Sequence, residues 1–121
     1  MDFVPPNKLE KVTKIDKTNF IKPLYKSNYT KNPSKEYNLD TNILLYNNGI
    51  KWKGVHIDIM KEYRVLHDTY YVSNELSFKV SVTYCPYSNS AVMYPGVFVA
   101  LNYLHKGNTI LMSDSNDYLS Q

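Results

Sequence analysis

Hydrophobic and polar positions alternate most cleanly over residues 77–84. Phe78, Val80, Val82 and Tyr84 fall on one side, and Ser77, Lys79, Ser81 and Thr83 on the other. A period of two predicts a half-buried strand. Residues 97–104 are apolar almost throughout, which predicts a central strand covered on both faces. His105-Lys106-Gly107-Asn108 then turns the chain, and residues 109–112 run back. Another strand is expected over 91–94, stopped by Pro95-Gly96. Upstream, the apolar stretch 42–46 leads into Asn47-Asn48-Gly49, whose residues tolerate positive φ, and 50–53 alternates as a returning strand should. Ile50 and Trp52 would share one face of that hairpin, with Lys51 and Lys53 on the other. Residues 54–67 satisfy both periods. Val55, Ile57 and Ile59 alternate, while Val55, Ile59, Tyr63 and Leu66 share a helical face, so a short strand to about Asp58 and a helical turn over 60–65 are expected. Residues 113–121 read as a polar tail anchored by Tyr118 and Leu119. The fold class is therefore mostly β, with a β-rich α+β domain as the alternative. It is a single small domain of five to seven short, mainly antiparallel strands joined by tight turns.

Charge divides the chain in two. Residues 1–35 hold eight Lys against Asp2, Glu10 and Asp16; the remainder holds five Lys and Arg64 against eight acids, and the total is +3. Residues 1–38 are expected to form a basic, largely irregular arm packed on the body, and 39–121 the β-rich domain. Lys8, Lys11, Lys14 and Lys17 recur every third residue beside Leu9, Val12 and Ile15, a pattern that one or two amphipathic turns would carry. From Lys22 to Asn38, prolines and asparagines predict irregular chain, with Tyr25, Tyr29 and Tyr37 holding it to the body. Asn28-Tyr29-Thr30 matches a glycosylation sequon, which has no use without a secretory signal. Arg64 is the single arginine, and nucleic-acid readout leans on arginine forks, so a nucleic-acid partner is disfavoured. No run of 18 apolar residues could span a membrane, and the first residues lack a signal-peptide core. Residence in the cytoplasm or a virion is expected, and a protein partner rather than a nucleic acid or a membrane.

Val82-Thr83-Tyr84-Cys85-Pro86-Tyr87-Ser88-Asn89-Ser90-Ala91-Val92 resembles the hallmark of the bacterial and archaeal domain of unknown function numbered 3179: V-T-Y-C-P-L, two residues, a small residue and an apolar strand. Upstream, Leu66-His67-Asp68-Thr69 stands where that family carries a histidine before an N-D-T-like segment. Downstream, Asn102-Tyr103-Leu104, Gly107-Asn108, Ile110-Leu111-Met112 with Asp114, and Leu119-Ser120-Gln121 follow the family's order. The chain departs from it at Ser88-Asn89, where the family often has a second Cys or Thr-Gly; at Asn102, in place of its Gly; and at Leu119, in place of its Trp. The resemblance implies a β-rich fold with the Cys-Pro turn as its most characteristic point, and it carries no activity.

Cys85 is the sole cysteine, so neither an internal disulfide nor a cysteine zinc site can form. As a catalytic nucleophile it would need a lowered pKa, with His67 as base and Asp68 orienting the imidazole. Against that, no glycine-rich elbow flanks it, and a lone Cys at a strand end ordinarily serves as a small buried hydrophobe. His56 and Asp58 could share a strand face, but no ligand spacing for a metal is present, and the four glycines form no phosphate cradle. No metal and no cofactor is expected. Twelve tyrosines, several of them around the central strands, suit either half-buried sheet positions or a binding face. The sequence thus reads as a non-enzymatic β-rich binding or assembly domain. The alternative is a thiol enzyme with Cys85 as nucleophile and His67 as base.

Overall fold

The structure is a computed structural model and describes residues 10–11, 20–21, 23–25 and 42–121. Eleven short strands and one helix lie among these residues. β1 (Glu10–Lys11), β2 (Phe20–Ile21) and β3 (Leu24–Tyr25) come first. The hairpin β4 (Ile43–Asn47) and β5 (Trp52–His56) follows, then α1 (Ile57–Tyr63). The remaining strands are β6 (Val65–Tyr71), β7 (Ser77–Cys85), β8 (Ser90–Pro95), β9 (Phe98–His105), β10 (Asn108–Ser113) and β11 (Tyr118–Ser120). The mostly β, mainly antiparallel class expected from the sequence is what the molecule shows. The exception is β3, which pairs with β6 in parallel.

Three sheets form: β1-β9-β10-β11 with β2 also on β9, β3-β6-β7-β8, and the hairpin β4-β5. The second of these is the middle layer. In the β6–β7 register, Val65 faces Thr83 and His67 faces Ser81, while Leu66 faces Val82 and Asp68 faces Val80. Opposed residues share a face, so each set points to a different neighbour. Leu66, Val82 and Tyr84 form a core with Tyr46, Val55 and Met60 of the hairpin and helix. On the other side, Val65 packs with Phe98, Ala100, Leu111 and Leu119 of the first sheet.

This burial on both sides corrects the half-buried reading of residues 77–84. From Val80 to Cys85 every residue of β7 is buried, Ser81 and Thr83 included. Both hydroxyls are satisfied. Ser81 Oγ donates to Gly96 O at 2.9 Å and accepts from Phe98 N at 3.0 Å, and Thr83 Oγ1 donates to Val92 O at 2.8 Å. A short polar side chain with a bonded hydroxyl can face an interior that a lysine would not enter. Conversely, 97–104 is less covered than its apolar content implies. Phe98, Ala100 and Leu101 are buried, but Val99, Asn102, Tyr103 and Leu104 are half-exposed.

The tail is a third difference. β11 pairs with β10, Leu119 is buried, and Gln121 reaches across to the middle sheet. Its Nε2 donates to Thr83 Oγ1 and to Ser90 O, both at 3.1 Å, and Ser90 Oγ donates back to its Oε1. As for the arm, its described pieces are strands laid against β9 and β6, with Lys11 in β1. The rest of the lysine stripe, the irregular stretch between Lys22 and Asn38 except residues 23–25, and the sequon at Asn28 lie outside the described residues. Among the described residues no helix is long and apolar enough to cross a membrane.

Candidate functional site

The β4–β5 hairpin is built by its turn. Asn48 Oδ1 accepts the backbone N–H groups of Ile50 and Lys51, and Asn48 N donates to Lys51 O. Asparagine is suited to this, because its short carboxamide reaches its own backbone. Tyr71 N donates to Asn48 O, which ties the turn to the end of β6.

Strand pleating then divides the hairpin's side chains. Leu44, Tyr46, Lys53 and Val55 point inward, toward the middle sheet. Ile50 and Lys51 belong to the turn and are both exposed, so the alternation expected over 50–53 holds only at its end, with Trp52 out and Lys53 in. The reason is Asp68, buried on β6. Its Oδ2 accepts from Tyr46 Oη at 2.5 Å and from Lys53 Nζ at 2.8 Å, and its Oδ1 accepts from Thr69 N at 2.7 Å. Burial pushes the Asp68 carboxyl up, yet the Lys53, Tyr46 and Thr69 hydrogen bonds and the Lys53 charge outweigh this and hold it below the usual carboxylate range. A shallow recess of about 270 Å³ opens beside this trio, lined by Asn48, Ile50, Lys51, Lys53, Asp68 and Tyr71.

The outward face is mixed, with Asn47 opposite Trp52 and His56 opposite Ile43 among its apolar side chains. Ile43, Leu45 and Trp52 lie on it, with Ile50 in the turn, exposed by 52%, 63%, 70% and 70% respectively. Gly54 stands opposite Leu45 in the register, and a Cβ there would meet Ile43 Cγ2 at 3.0 Å and Leu45 Cδ2 at 3.3 Å. These two side chains therefore lean across the glycine. Gly54 lies midway along the hairpin, between the Ile43–His56 pair at its base and the Asn47–Trp52 pair at its tip.

The predicted thiol site has a different geometry. Cys85 is fully buried at the end of β7, where its Sγ accepts from Thr109 N at 3.3 Å and donates to Gly107 O at 3.8 Å. Burial raises its pKa, while hydrogen bonds from Ser88 and Thr109 outweigh that and leave the thiol below its ordinary value. His67 is elsewhere. It lies opposite Ser81, four residues from Cys85 along β7, or about 13 Å at strand rise. Its Nε2 bonds Phe98 O at 2.6 Å. Asp68 points to the opposite face of the sheet from His67, into the lysine pair. The structure thus brings Asp68 to Tyr46 and Lys53, and not to His67.

The described tyrosines do not gather on one face either. Tyr70 stacks on Phe78, Tyr84 Oη donates to Asn89, Tyr94 meets Phe98 edge-on, and Tyr87 lies exposed under the Arg64 guanidinium at 5.2 Å. Among the described residues, no three of His, Cys, Asp and Glu converge as a metal site. Sequence reasoning missed the Tyr46–Asp68–Lys53 trio, for which no local pattern exists, since its members come from three strands. No family model, no curated protein and no solved structure matches the chain.

Proposed function

We propose that this chain is a small non-enzymatic binding domain that docks a protein through the outer face of the β4–β5 hairpin. The observation that carries it is the exposure of Ile43, Leu45 and Trp52 together on one side of a two-stranded sheet. Large apolar side chains left in water on a shared face favour association, and tryptophan is enriched at the centre of such contacts. The inward face supports the reading from behind. The buried Asp68–Lys53 pair and the Asn48 turn fix the hairpin on the middle sheet, so the docking face is presented on a rigid backing rather than on a loose ribbon.

Photo-crosslinking in the native host tests this. A photoreactive phenylalanine replacing Trp52 is expected to give a defined protein adduct that Leu45→Lys removes. The same probe at Glu75, exposed on the β6–β7 turn, serves as the control. No adduct beyond the control would overturn the reading.

A further inference from the structure

We propose that the outer edge of β8 is a second docking site, separate from the hairpin face, and that its occupant is an extended peptide segment of a partner protein added as a further strand. Backbone direction identifies the free groups. Gly96 N donates to Lys79 O at 2.8 Å, and Tyr84 N donates to Arg64 O at 2.8 Å. Along β7, odd-numbered residues therefore bond to β8 and even-numbered ones to β6, since a strand's backbone groups alternate sides. Across the β7–β8 register, Ser90, Val92 and Tyr94 face back into the ladder, while Ala91, Met93 and Pro95 turn their backbones away from it. The N–H groups of Ala91 and Met93 and the carbonyls of Ala91, Met93 and Pro95 thus point outward, with no hydrogen-bond partner among the described residues.

The other edges of the two larger sheets are closed differently. β9 carries β1 and β2, β6 carries β3, and β10 carries β11, strands of two or three residues each. Very short edge strands keep foreign strands off a sheet; lysines, bulges and inward-pointing charges do the same. β8 has none of these. It runs for six residues without a charge, and its register with β7 is unbroken. Pro95 comes last in it, where it removes one donor and leaves its carbonyl free.

Hydrogen bonding sets the occupant. Donors and acceptors repeat every second residue along this edge, a spacing that another extended backbone matches. A segment of about five residues, running antiparallel, covers Ala91 to Pro95. Opposed residues share a face, so the segment's bonding residues lie beside the exposed side chains of Ala91, Met93 and Pro95, and apolar ones fit there. A second copy of β8 fits worse. In the register that uses the whole edge, centred on Met93, each Pro95 opposes the other copy's Ala91, and both Ala91 carbonyls go without a donor.

Titration of the isotope-labelled chain with synthetic peptides of about seven residues tests this by nuclear magnetic resonance. In the panel, threonine alternates with valine, leucine, phenylalanine or tyrosine. At least one peptide is expected to move the Ala91–Pro95 resonances saturably below about 1 mM and to slow exchange of the Ala91 and Met93 amides roughly tenfold. N-methylation at the apolar positions, whose amides face β8, is expected to weaken binding roughly tenfold or more, and N-methylation at the threonines to leave it unchanged. Met93→Pro removes an N–H that β7 does not use, so the variant is expected to fold, by circular dichroism, and to lose binding. Met93→Lys keeps every backbone group, sets a charge on the edge and is expected to weaken binding roughly tenfold, whether or not the proline variant folds. Leu45→Lys, on the hairpin face, leaves binding intact, so this site and the hairpin reading fail separately. No response to any peptide, or binding indifferent to methylation at the apolar positions or to Met93→Lys, overturns the inference. Concentration-dependent shifts at Ala91–Pro95 without peptide, with dimers in sedimentation, give the edge to a second copy and overturn the partner segment.

Discussion

Gly49 and Asp68 show how single residues hold the hairpin. Gly49 has φ +94°, and a Cβ built on it would lie 2.0 Å from Tyr71 O, a backbone atom with no freedom to swing away. Gly49→Ala therefore meets both a left-handed penalty of about 1–2 kcal/mol and a forced separation of the turn from β6. A loss of about 2–4 kcal/mol is expected in urea denaturation, the larger part from the separation. The Asn-Gly pair announced a turn in the sequence, but nothing local announced that β6 would press against it. Asp68 is the second case. Asp68→Asn leaves the Lys53 ammonium without its opposite charge and is expected to cost about 3–5 kcal/mol. Because its carboxyl titrates lower folded than unfolded, its contribution is present above the ordinary aspartate value of about 3.9. As pH falls below that toward the folded value, the contribution is lost. The gap in urea midpoint between the native chain and Asp68→Asn should therefore be full near pH 6 and shrink steadily on acidification below about pH 4.

Among elements, register decides what chemistry is possible. Cys85 and His67 both lie on the same face of the middle sheet, which a period-two reading allows, but the β6–β7 pairing sets them four residues apart. Fully buried against β10, the thiol is expected to resist iodoacetamide near neutral pH until urea opens the fold, at a rate that His67→Ala changes only through stability. Rapid labelling of the native chain, abolished by His67→Ala, would revive the thiol-enzyme alternative. The strand β6 itself was hidden from periodicity. Leu66 and Asp68 face the hairpin, Val65 and His67 face β9, and a strand buried on both sides has no clean alternation to show. α1, by contrast, was legible to within a few residues. Its end is set by Arg64 at φ 67°, a left-handed stop whose N–H caps Met60 O at 2.7 Å.

At the scale of the whole molecule, three layers explain why serines and threonines sit inside while a tryptophan sits outside. The middle sheet has neighbours on both faces, so Ser81 and Thr83 are enclosed, and their hydroxyls find backbone partners. The hairpin is an outer layer with one covered face. Which face is covered depends on what lies beneath it, and a buried aspartate beneath it selects the lysine side. The outer layer is thereby left with Ile43, Leu45 and Trp52 toward solvent, and it is from this surplus that the docking reading arises.

The linear chain determined the extended segments of the hairpin and of β7 to β10, the turns at Asn48-Gly49 and Lys106-Gly107, and the mostly β class. These depend on side-chain alternation and on backbone freedom within a few residues. Tertiary structure alone decided which faces are covered, that Asp68 meets Tyr46 and Lys53, that Cys85 and His67 stand apart, and that Trp52 looks outward. Such outcomes depend on register and on the stacking of distant strands, and one-dimensional periodicity fixes only that two faces differ, not which of them is turned inward.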